Sequence, residues 1–124
     1  MESLAGTTWK LVEVRAYDEA GRELESPIAE PMGLTMFGKE RMLGAVTDVR
    51  SGDVPARVYF SYSGPYTWDG TTLSTAADQA SRPDMLTHQV RDMRFETPTR
   101  LVVKPKTSLL GRASGLTFVW ERLA

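Results

Sequence analysis

Gly6-Thr7-Thr8-Trp9-Lys10-Leu11 near the start of the chain and Phe118-Val119-Trp120-Glu121-Arg122 near its end decide the reading of the fold. A first strand that opens on glycine and tryptophan, set against a last strand ending in arginine, is how a small up-and-down β-barrel shuts its narrow end. The indole is expected to plug the bottom, with the Arg122 guanidinium over its face donating to nearby carbonyls. A closed barrel of this size holds either a packed core or one small ligand.

Between these ends, periods of two broken by Gly, Pro and Asp recur at short intervals, which is the spacing of an antiparallel meander. In the first strand, over 7–17, the apolar phase changes between Leu11 and Val12, which predicts a bulge that bends the strand. Asp18-Glu19-Ala20-Gly21 and Asp69-Gly70 read as hairpin tips. Residues 23–32 contain Pro27 and Pro31 without periodicity and predict a loop across one end of the barrel. Further strands are expected over 33–37, 41–47, 56–63, 65–68, 71–78, 88–96, 100–104 and 116–123. A polar loop is expected over 48–55, and a loop or single helical turn near Pro83. The expected fold class is all-β: a single small up-and-down antiparallel β-barrel of about eight or nine strands with an internal cavity, one domain over 1–124. The alternative is an open α+β sheet in which the first loop and the Pro83 segment are helical.

Composition narrows the function. With 15 basic and 16 acidic residues the formal net charge is −1, so no basic excess draws a nucleic-acid backbone. The count of zero cysteines removes disulfides, thiolate nucleophiles and thiolate metal sites, and fits a reducing compartment. Met1-Glu2-Ser3-Leu4 carries neither a basic n-region nor an apolar h-region, so no signal peptide is expected. No apolar run approaches the roughly 18–20 residues that span a bilayer. The expectation is a cytoplasmic protein without membrane or nucleic-acid partners. His88, the single histidine, is expected on a solvated face, and no carboxylate cluster suits a metal. No phosphate-cradling glycine loop, dinucleotide fingerprint or Ser-His-Asp set is present, so neither metal nor cofactor is expected.

The candidate site is built on strand 88–96. Its odd positions, Gln89, Arg91, Met93 and Phe95, carry the large apolar residues and should face inward, which places Gln89 and Arg91 inside the barrel. A buried guanidinium is costly unless paired. Arg91 is therefore either one half of an internal ion pair, with Asp78 or a tyrosine hydroxyl as partner, or an anchor for a carboxylate, enolate or phenolate on a ligand. Tyr62, Tyr66 and Trp68 share one phase and are expected to wall either a core or a pocket for a flat ligand. Met36 and Met93 are expected beside that pocket, where methionine adapts to irregular space. Arg100, Lys104, Lys106 and Arg112 surround a loop over 105–115 that reads as a mobile rim.

Taken in order, five pieces of the chain resemble the bacterial lipocalin-like domain family, relatives of the calycin barrels. They are Leu4–Val12, Pro31-Met32-Gly33-Leu34 followed by Met42, Tyr62–Tyr66, His88–Arg91 leading into Leu101, and Val119–Arg122. The chain departs from the family's pattern at Leu73-Ser74-Thr75-Ala76-Ala77, where members often carry a histidine. The resemblance implies a lipocalin-like barrel with a cavity and no single fixed activity. Together with the residues above it gives three expectations. The first is a binder of a small hydrophobic or aromatic molecule bearing a polar or anionic group, with Arg91, Tyr66, Trp68, Tyr62, Met36, Met93 and Gln89 as ligand contacts. The second is a cofactor-free cyclase or isomerase acting on a polyketide-like intermediate of natural-product biosynthesis in the same cavity. The third is a structural module filled by its own side chains. An exposed strand near Tyr59 would allow a homodimer across a two-fold axis.

Overall fold

The computed structural model describes residues 3–49 and 58–124. The strands follow in the order β1 (Thr8–Tyr17), β2 (Glu23–Leu24), β3 (Pro31–Phe37), β4 (Arg41–Asp48), β5 (Tyr59–Trp68), β6 (Thr72–Ala76), β7 (Gln79–Ala80), β8 (His88–Thr97), β9 (Arg100–Pro105) and β10 (Leu116–Arg122). All pairings are antiparallel, and β10 returns to β1, so the 10-stranded sheet closes in a ring. The expected count of eight or nine is exceeded by two dipeptide strands, β2 against the end of β1 and β7 against the middle of β5. Two residues are too short to leave a period in the sequence. Among the described residues the one helical element is a 3-10 turn at Pro83–Met85, which removes the α+β alternative. The expected loop over 48–55 and the first part of strand 56–63 lie largely outside the described residues.

The bulge falls where the phase change put it. Pairing of β1 with β10 runs Leu11 to Trp120, then skips Val12 and resumes at Glu13. Trp9 and Leu11 are buried before the skip, Val14 and Ala16 after it, so one extra residue lets a bent strand keep its apolar side inward on both halves. The termini seal the ring: Thr8 N–H donates to the Ala124 carbonyl at 3.0 Å and Leu123 N–H to the Thr8 carbonyl at 2.8 Å. Trp9 is 1% exposed, and its indole N–H donates to Thr7 Oγ1 at 2.8 Å, whose hydroxyl donates to the Leu4 carbonyl at 2.6 Å. Phe95 stacks edge-on against Trp9 and against Trp68, completing the plug.

Arg122 departs from expectation. Its guanidinium is exposed, with Nε donating to the Ala124 carbonyl at 3.2 Å. The indole's own polar atom is satisfied by Thr7, so the plug closes without a cation over its face. Among the described residues the guanidinium found over an aromatic ring is that of Arg91, 5.6 Å from the centre of Tyr62.

Asp69-Gly70 makes its turn as expected, with Gly70 at φ 99°. The Asp69 carboxylate accepts from the Thr71 and Thr72 amides at 2.9 and 2.7 Å. A carboxylate fastened this way lies below its ordinary pKa, the Thr72 amide being the first cause. At Gly64 a Cβ would sit 2.2 Å from the Ala76 carbonyl oxygen, so glycine is what lets the chain leaving β6 cross close to β5.

Candidate ligand site: a lone guanidinium in an apolar pocket

Inward residues of β1, β3, β4, β5, β6, β8, β9 and β10 surround a pocket of about 50 Å³. Its walls are Trp9, Phe37, Met42, Val46, Phe60, Tyr62, Leu73, Met93, Leu101, Val103, Phe118 and Trp120, with Leu109 from the loop after β9. Space exists because two inward positions are small. Thr35 on β3 and Gly44 on β4 face each other across the ladder where larger residues would otherwise meet. A glycine inside a strand pattern is a known sign of close approach by a ligand or backbone, and this was the available signal for Gly44.

Arg91 is the one charged residue in that wall, and it is 4% exposed. The alternation on β8 is as expected: Gln89, Arg91 and Met93 are buried while His88, Arg94 and Glu96 are exposed. Its expected partner Asp78 is elsewhere, held by both Nη1 and Nη2 of Arg41 on the outer surface. That contact draws the Asp78 carboxyl below its ordinary pKa and the Arg41 guanidinium above its own. Among the described residues no carboxylate pairs with Arg91.

What Arg91 has instead are neutral acceptors. Nη1 donates to Thr107 Oγ1 at 3.0 Å and to the Val90 carbonyl at 3.3 Å, and Nη2 donates to Gln89 Oε1 at 3.2 Å. Thr107 Oγ1 in turn donates to Gln89 Oε1 at 3.3 Å, so one linked pair of oxygens occupies the terminal edge of the guanidinium. Gln89 is fixed from behind by its Nε2 donating to the Met85 carbonyl at 3.1 Å, from the 3-10 turn. A guanidinium has five N–H donors. Nη1 makes two bonds and Nη2 one, while Nε–H bonds to none of the described residues.

Thr107 was missed because the segment 105–115 reads as a mobile rim. It turns inward: Leu109 and Arg112 exchange backbone hydrogen bonds at 2.9 and 3.0 Å. Leu110 at φ 54° and Gly111 at φ 73° form the tip, and Leu109 is buried against the pocket. A leucine in the left-handed region is strained, and the buried neighbour holds it there.

The remaining expected contacts divide. Tyr62, Met93 and Arg91 line the pocket together, with Gln89 behind Arg91. Tyr66 lies beyond its wall, half-buried, with its ring edge-on to Phe37 and its hydroxyl donating to the Gly38 carbonyl at 2.6 Å. Burial pushes that phenol's pKa up. Trp68 belongs to the plug beside Phe95. Met36 points away, 51% exposed, because Phe37 takes the inward phase of β3 and the next residue back must face out.

Among the described residues no group of three or more His, Cys, Asp or Glu is placed to hold a metal ion. No helix among them is long and apolar enough to cross a membrane. Comparison with family models, with curated proteins and with solved structures gives no match for this chain.

Proposed function

We propose that the closed sheet is a lipocalin-like barrel that binds a small apolar molecule through a carboxylate held on the free edge of Arg91. The observation that carries this reading is a guanidinium, nearly fully buried, whose Nη1 and Nη2 take neutral partners while Nε–H bonds to none of the described residues. A side chain kept charged without a counter-anion costs several kcal/mol in a protein interior. Two parallel N–H groups match the two oxygens of a carboxylate, and a charge-assisted pair in this setting offsets that cost. One cation in an otherwise apolar wall favours a monoanion over a phosphate dianion. The rings of Phe60, Phe118, Trp120 and Tyr62 favour an aromatic or branched tail.

The pocket's about 50 Å³ sets a limit, since an apolar cavity of roughly 150 Å³ is what accommodates a benzene-sized guest. An aromatic tail therefore enters only as Met42 and Met93 shift to enlarge the space, as unbranched thioethers do readily. A second reading is a cofactor-free isomerase or cyclase. It draws on Tyr62, which lines the same pocket and carries the Arg91 guanidinium over its ring, 5.6 Å from the centre.

Native mass spectrometry of protein freshly purified from its own host, followed by organic extraction, tests the reading. The expected result is a discrete added mass that extraction removes and that proves to be a carboxylic acid. An extracted neutral compound would overturn the carboxylate assignment. An added acid that the protein converts on incubation would move the account to the second reading.

A further inference from the structure

The outward positions of the sheet are of two kinds. On β1, β8 and β9 they carry charge, as at Arg15, Arg94, Glu96 and Lys104. Such polar-out alternation is what a solvated antiparallel face shows. On β3, and at Leu43 of β4 and Tyr59 of β5, outward positions are apolar. Met32 is 60% exposed, Leu34 46%, Met36 51%, Leu43 50% and Tyr59 54%. Register joins them into one patch: Met36 lies opposite Leu43, Leu34 opposite Ala45, and Met32 opposite Thr47, which faces Tyr59 across the next ladder. Lys10, opposite Leu34, stands at one margin, and the Arg41–Asp78 ion pair at another.

We infer that this face is covered by the same face of a second copy of the chain, related by a two-fold axis. Size supports that occupant. Each of the five is about half exposed, and at roughly 100 Å² for half of a large side chain they present about 500 Å², against roughly 800 Å² that each partner gives to a standard interface, of which about 65% is apolar in homodimers. The patch thus supplies the apolar part of such an interface, and its charged margins supply the polar rim. Chemistry supports it as well. A centre without charge meets its own copy without setting like charges opposite one another. A formal net charge of −1 gives little long-range repulsion between copies. The pairing of β10 with β1 closes the sheet there, so copies meet through this face and not by extending the sheet at that seam. Tyr59 contributes its outward ring to this face. The residues of these strands that line the pocket, Phe37, Gly44, Val46 and Phe60 among them, take the opposite phase, so the two surfaces share no side chain.

Sedimentation velocity on the full chain, from about 1 to 200 µM, tests the inference, since dimer population depends on protomer concentration. The expected result is the mass of two chains at the upper end. Leu34→Glu should raise the dimer dissociation constant by at least about tenfold through paired like charges, with melting temperature nearly unchanged because the residue is exposed. Met32→Glu serves where Leu34→Glu fails to fold. An equimolar mixture of Leu34→Glu and Leu34→Lys should restore the dimer, because only a self-paired face sets the two opposite each other. A wild-type chain that stays monomeric throughout overturns the proposal and leaves the face to a different protein or a lipid surface. A dimer that survives both glutamate variants, or a charge-paired mixture that stays monomeric, also overturns it.

Discussion

Replacing Arg91 by methionine separates an ion-paired structural arginine from a ligand anchor. The side chain is 4% exposed and its bonds run to Thr107 Oγ1, Gln89 Oε1 and the Val90 carbonyl. Methionine keeps most of the length and removes the charge. Thr107 and Gln89 retain the bond between them, Gln89 retains Met85, and the oxygens left behind are not orphaned outright. Charge-assisted bonds to neutral acceptors contribute about 1.5–3 kcal/mol each at best, while desolvating the ion costs several kcal/mol, and replacing buried ions by apolar groups is often neutral or stabilising by about 1–4 kcal/mol. The ligand-free variant is therefore expected to be unchanged or more stable, by up to about 2 kcal/mol, a rise of up to roughly 8 °C in melting temperature for a domain of this size. Affinity for the carboxylate should fall by about 30-fold or more, the lower end of the about 2–5 kcal/mol lost when one partner of a buried charge pair is truncated. Thermal melts followed by circular dichroism and calorimetric titration with a small arylalkanoic acid read the two effects. A loss of about 3 kcal/mol or more in the ligand-free protein, the size seen on breaking a buried ion pair, would refute the reasoning.

Gly44→Ala places a Cβ 3.4 Å from Thr35 Oγ1 and 3.9 Å from Tyr62 Cε1, ordinary contact distances. It should leave stability unchanged or raise it by about 0.4–1 kcal/mol while weakening ligand binding, checked by the same melts and titrations. Gly64→Ala forces a Cβ to 2.2 Å from the Ala76 carbonyl and should destabilise by about 1–3 kcal/mol in denaturant melts, an unchanged midpoint being the contrary result. Asp69 and Asp78 both have folded pKa values below their ordinary ones. Their contribution to stability is fully present above the unfolded value, near 3.9, and is lost as pH falls through the lower folded values. Melting temperature should hold from pH 7 to about 5 and fall below about pH 4, and Asp69→Asn should flatten that fall. An identical acid decline in the variant would mean that the turn carboxylate carries none of it.

Features with a local signature were legible in the sequence. The bulge at Val12 shows as a break of parity, the turn at Gly70 as Asp-Gly, and the 3-10 turn as Pro83. The inward position of Arg91 shows because Met93 and Phe95 fix the phase of β8. Met36 was not legible. On β3 both phases offer apolar residues, Met32, Leu34 and Met36 against Phe37, and only burial of Phe37 decides between them. The partners of Arg91 were hidden for a different reason. Thr107 is 16 residues away along the chain, on a loop whose inward fold depends on Leu109 finding the pocket. Asp78 looked available to Arg91 until the register of β4 with β5 brought Arg41 beside it. The plug shows the same limit: the closing strands were readable from their ends, but the indole's partner proved to be the neighbouring Thr7 and not Arg122.

The central claim is that the Nε–H and Nη2–H edge of Arg91 receives a carboxylate, and the Arg91 Nε–H resonance in a proton–nitrogen NMR spectrum tests it most directly. Adding a small arylalkanoic acid should shift that resonance downfield and slow its exchange with water, while the matched alcohol leaves it in place. Arg91→Lys should remove the resonance and assign it. A resonance that stays fixed while the acid binds elsewhere in the spectrum would contradict the account.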